Sequence, residues 1–185
     1  MRKIVTFSLI SLATIVGLSG CSFQEETTPG SANVVSVKNT NGMSHYDVMF
    51  IEDMIEHHKQ AIEMSQMALT NTKNADILTI ANNIIKAQTE EISLLESWSA
   101  KNKDMHMDAK MDSMGMMSET ELAELKNAKD EKFDKLYLMG MIVHHEGAVE
   151  MAKNVLGSSN VDLVDFATKV IAAQTSEIEQ MKSLL

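Results

Sequence analysis

Cysteine occurs once in the 185 residues, at Cys21, so the chain has no disulfide framework, no thiolate metal cage and no cysteine nucleophile. Proline also occurs once, at Pro29, and aromatics make up only 4% of the chain. A core must therefore be filled by Ile, Leu, Ala and the sixteen methionines, which suits packed helices better than sheets. Positive charge is scarce: 16 Lys and Arg stand against 26 Asp and Glu, for a formal charge of −10. Nothing in that balance could replace the counterions of nucleic acid, so nucleic acid is excluded as a partner. The acidity keeps a protein soluble and weakly concentrates cations around it. No glycine-rich phosphate loop, nucleophile elbow or zinc-protease helix is present.

Long hydrophobic runs are missing too. The longest, Ile4 to Leu18, has 15 residues, short of the roughly 20 that a membrane-crossing helix needs. Arg2 and Lys3 precede it and Leu18-Ser19-Gly20-Cys21 closes it, the order of a secretion signal. A cysteine directly after small residues is the lipoprotein pattern, with cleavage before Cys21 and acylation on it. The reading is therefore a signal peptide over 1–20 and an exported protein anchored to the extracytoplasmic side of a membrane by its lipid alone. Losing residues 1–20 removes Arg2, Lys3 and no acid, which takes the formal charge from −10 to −12. Residues 21–43 are polar and patternless and predict a flexible tether with a reach of about 25 Å.

From Ser44 the pattern becomes helical. Ser44 and Asp47 form an N-terminal cap signature, followed by apolar rows at Phe50, Met54, Ala61, Met64 and Ala68 and at Ile51, Ile55, Ile62 and Leu69. Asn71 to Asn74 breaks the pattern, and a second helix follows through Ile77, Ile84, Ile92, Leu95 and Trp98. Ser118 with Glu121 opens a short helix. A longer one starts near Asp130 and is expected to stop at Gly157 in a left-handed cap. The last helix starts near Val161.

A repeat organises all of this. Asp47–Ser65 aligns without gaps on Asp134–Ala152 at a shift of 87, pairing Met54 with Met141, His57 with His144 and His58 with His145. The second helices align at a shift of 86, pairing Gln88 with Gln174 and Glu91 with Glu177. Two helical hairpins, each with one apolar face, bury those faces best against each other. The fold class is all-α: a four-helix bundle over 44–185, with hairpins at 44–101 and 119–185 joined by a Met-rich connector at 102–118.

Four of the six histidines, His57, His58, His144 and His145, fall on the apolar rows. Adjacent helix positions diverge by about 100°, so neither pair can easily grip one ion by itself. Met54 and Met141, one turn earlier, are better chelating partners, or the symmetry axis could bring His57 to His144. A metal-free alternative also has named partners, because Gln88, Glu91, Gln174 and Glu177 on the facing helices could satisfy the imidazoles by hydrogen bonds.

The connector carries Met105, His106, Met107, Met111, Met114, Met116 and Met117, six methionines within thirteen residues and on no single helical face. Thioethers are soft, uncharged donors suited to copper(I) and silver(I), and a loop can wrap several around one ion.

The motif Asp47, Phe50, Met54, His57, His58, Ala61, Met64, then Gln88 and Glu91, resembles the family called domain of unknown function 305. Its counterpart at Asp134, Met141, His144, His145, Gly147, Ala148, Met151, Gln174 and Glu177 carries the same signature, with Tyr137 in place of Phe50. The resemblance covers Ser44 to Leu185 and implies a ferritin-like bundle, often exported, with some members linked to copper binding and tolerance. The same analogy raises a di-iron or di-manganese oxidase, but that chemistry wants Glu-x-x-His on two helices. Met54, Ile55, Met141 and Ile142 occupy those places instead. The function expected is therefore binding of soft metal ions, copper(I) first, for sequestration or transfer to a protein partner, without catalysis. Trp98 and the Met-rich stretch offer a surface for a second copy.

Overall fold

The computed structural model describes residues 42–106 and 114–185, so the expected signal peptide, Cys21 and most of the tether lie outside it, as do Met107 and Met111. Among the described residues there are five α-helices and no strand: α1 (His45–Asn71), α2 (Ala75–Lys101), α3 (Glu119–Asn127), α4 (Asp130–Lys153) and α5 (Val161–Lys182). No described helix is long and apolar enough to cross a membrane.

Each start follows local chemistry. Ser44 and Asp47 form a reciprocal capping box, the Ser44 amide donating to Asp47 at 2.7 Å and the Asp47 amide to Ser44 at 3.1 Å. Ser118 and Glu121 do the same for α3. Asn74 and Asn160 cap α2 and α5 through their side-chain oxygens. Such caps satisfy backbone donors that a helix start leaves bare, at about 1 kcal/mol each.

One expected stop is corrected. α4 ends at Lys153, capped by Asn154 in a right-handed conformation, and Gly157 is not left-handed. The helix tightens instead into turns, with Val155 and Leu156 bonding back three residues, as the Val155 side chain enters the core. Leu69, in the last turn of α1, also lies outside the core at 45% exposure.

α1 and α2 form one hairpin and α4 and α5 the other, and α1 packs on α4 to join them, with α3 against both. Two apolar clusters fix the direction of that junction. One holds Met64 and Ala68 from the end of α1 with Phe133 and Tyr137 from the start of α4. The other holds Phe50 and Ile51 from the start of α1 with Met151 and Ala152 from the end of α4. The central helices therefore run antiparallel. The middle of each, His57-His58 and His144-His145, lies in a layer between the clusters.

Candidate metal centre

All four histidines of this layer are buried, with 0–1% exposure. The antiparallel junction brings His57 onto His144, ring centroids 3.8 Å apart and planes tilted by 42°. The Nε2 of His57 lies 2.9 Å from the carbonyl oxygen of Met114. A carbonyl can only accept, so Nε2 carries the proton, and in the neutral ring Nδ1 is left as a lone pair. That Nδ1 has no hydrogen-bond partner, and neither nitrogen of His144 has one.

Burial keeps both rings neutral. It lowers His57 to about 4, opposed by the Met114 bond and reinforced by His58 and His145. His144 is pushed well below the ordinary histidine range by burial first and by His57 next. A buried polar atom without a partner costs about 1–3 kcal/mol. Three on one ring pair are a liability for packing alone. They are an asset if a cation takes the lone pairs.

His58 and His145 repeat one arrangement in both copies. His58 Nε2 donates to Glu91 at 2.8 Å and His145 Nε2 to Glu177 at 2.8 Å. Each carboxylate is about a quarter exposed, at 26% and 24%, and so keeps water on its outer side. Holding the proton on Nε2 leaves Nδ1 as the donor atom, and both Nδ1 atoms are buried and unpartnered. A carboxylate behind an imidazole that fixes its tautomer and raises its basicity is the usual support of a metal-binding histidine. Gln88 and Gln174 are buried one turn earlier, but their Oε1 atoms reach no partner. Of the metal-free network that the sequence offers as an alternative, the bonds to the glutamates form, and the Oε1 atoms of the glutamines are left out of it. Met54 and Met141 are fully buried one turn before the histidine pairs. Among the described residues no three His, Cys, Asp or Glu side chains gather around a common point. The donors that the layer offers are imidazoles, with thioethers beside them.

The described parts of the connector are docked, not free to wrap an ion. Met105 is buried beside Phe50 and Leu95, and its carbonyl accepts from His45 at 3.1 Å. His106 is 60% exposed and meets Glu52 at 2.8 Å. At the far end, Met114–Met117 forms a strap on the bundle. Gln60 grips it twice, accepting from the Met117 amide at 2.7 Å and donating to the Met117 carbonyl at 2.9 Å. Gly147 lets it approach: a Cβ there would stand 2.1 Å from the Met114 oxygen. Gly115, left-handed at φ +74, lies on the backbone of α4 for the same reason. These contacts set the Met114 carbonyl over His57. Sequence reasoning missed Gln60 and the role of Gly147, although the signal was present, because the repeat pairs exactly these two unlike residues at its shift of 87.

Comparison with known proteins follows the same lines. The family model described as domain of unknown function (DUF305) matches residues 47–185. A DUF305 protein from Streptomyces coelicolor, provisionally described as secreted, shares 28% identity at a TM-score of 0.71, over 76% of this chain and 90% of that one. A DUF305 fragment from Deinococcus radiodurans shares 26% identity at 0.68, over 75% and 94%. CopM in its Cu(I)-bound form shares 31% identity at 0.64, over 75% and 94%, and CopM is also known in a silver-bound form. No curated protein matches the chain.

Proposed function

Because the chain belongs to the DUF305 family, we propose that it is an exported binding protein for soft metal ions, copper(I) first and silver(I) next. One observation carries the reading: two neutral, buried imidazoles lie 3.8 Å apart with three of their nitrogens unpartnered. His57 and His144 are the central ligands in this reading, with Met54 and Met141 as thioether donors beside them. His58 and His145 are flanking donors oriented by Glu91 and Glu177, and Gln88 and Gln174 border them. Imidazole suits copper among the common metals, and thioethers select its cuprous state. That CopM binds Cu(I) and silver on the same fold supports the choice.

Along the connector, Met107, Met111, Met116 and Met117 supply capture sites in this reading, whereas Met105 and Met114 pack against the bundle and His106 is held by Glu52. Acylation at Cys21 would hold the bundle on a membrane, where it sequesters copper or passes it to a partner. A second reading is a metal-free bundle, favoured by the complete His58–Glu91 and His145–Glu177 bonds. Metal analysis separates the two. The protein lacking residues 1–20, offered a modest excess of Cu(I) under reducing conditions and desalted, is expected to retain copper. Retention of none leaves the structural bundle.

A further inference from the structure

A cavity of about 300 Å³ opens on the outer face of α4, where the strap and α3 meet it. Three thioether side chains line it: Met116 and Met117 from the strap and Met139 from α4. Met139 is 51% exposed, although nothing in helix packing calls for methionine at an exposed position. Gly140 forms part of the floor. With no Cβ there, the Met117 sulfur settles against the helix, 3.0 Å from where that carbon would be. Leu136 and Val143 make the walls apolar.

Each of the two rim carboxylates has one oxygen engaged. Glu121 accepts from the Ser118 amide at 2.8 Å and from the Ser118 hydroxyl at 2.7 Å, as the cap of α3. Glu124 pairs with Lys132 at 3.2 Å. Three of the lining residues offer sulfur, which prefers soft cations to hard ones. The repeat adds an independent sign. At a shift of 87, Met139, Gly140 and Val143 replace Glu52, Asp53 and Glu56, so three carboxylates on one copy become a thioether, a gap and an apolar wall on the other.

We propose that this cavity is a second, outer site for a soft monovalent cation, held by the sulfurs of Met116, Met117 and Met139. It extends the soft-metal reading above and depends on it. Its strap also carries the Met114 carbonyl that meets His57, so the outer site sits on the segment that caps the inner one.

The test is silver(I) titration of the full chain labelled with ¹³C at the methionine methyls, followed by NMR. The methyls of Met116, Met117 and Met139 should move together, in the wild type and equally in H57Q/H144Q. Met139→Leu should weaken that step by about tenfold or more, since even groups behind metal ligands are worth that much. A Met139 methyl that stays still while silver saturates the imidazoles overturns the outer site and leaves the inner one standing. So does unchanged affinity of the outer step in M139L. Silver that moves neither methyls nor imidazoles overturns both.

Discussion

The two copies of the repeat agree at the flanking histidines and differ at the pair that meets on the axis. His58–Glu91 and His145–Glu177 have the same 2.8 Å bond, the same buried ring and the same unpartnered Nδ1. His57 and His144 do not match: the first is capped by Met114, whereas the second has both nitrogens bare. The cause lies outside the layer. A strap can cover only one side of a twofold axis, and Gln60 in one copy grips it while Gly147 in the other gives it room. What both copies keep is the donor set. What they have exchanged is the face that controls it.

The largest effect should come from removing the shared pair. H57Q/H144Q is expected to keep its fold and to lose more than about a hundredfold in copper(I) affinity, read by competition with a chromogenic chelator. Loss confined to one single variant would show that the axis is not used symmetrically.

Acid should act next, on the metal-free protein. His57 falls from its ordinary 6.5 in the unfolded chain to about 4 in the fold, so between those values the unfolded chain binds the extra proton. Stability is full above about pH 6.5 and declines as pH drops toward 4, by about 3 kcal/mol for this ring, with His144 acting in the same direction. Urea unfolding at pH 7, 5.5 and 4.5 measures it, and a flat profile would mean that the pair is not buried neutral.

Gly147→Ala places a carbon 2.1 Å from the Met114 carbonyl, so the strap must lift or the helix must shift, costing about 1–3 kcal/mol in thermal or urea unfolding. The same change at the first copy's Gln60 removes two hydrogen bonds without a clash and should cost less, about 1–2 kcal/mol. If the two effects were reversed, the strap would be held by its side-chain grip more than by its fit. Smallest is Tyr137→Phe, which restores the first copy's residue type. It removes the buried bond to Ser65 at 3.0 Å for about 1 kcal/mol and should leave copper affinity unchanged.

Much of this was legible in the residues. The capping signatures at Ser44 and Ser118, the break at 71–74 and the burial of both histidine rows follow from local pattern, because each depends on neighbours within a turn or two. The repeat carried the hairpins for the same reason. Which helices meet at the centre is a tertiary outcome. His57 meets His144 because α1 and α4 run antiparallel, the end of each packing in an apolar cluster with the start of the other, and spacing alone leaves that as one alternative. The connector's methionines follow no helical face, so its sequence points to a loop that wraps an ion and gives no sign of docking. The docking of Met114–Met117 rests on Gly147 and Gln60, whose meaning depends on what lies against them. Gly157 misled because a buried Val155 two residues earlier had already turned the chain.

Soft-metal binding in this layer requires the ion to reach the ring nitrogens at the axis. Nitrogen-15 NMR of the histidine side chains, with silver(I) added to one equivalent, reads those atoms directly. The ring signals of His57 and His144 should shift strongly, with His58 and His145 following less, while His45 and His106 stay in place. Silver that binds while all four buried rings remain unmoved would contradict the account.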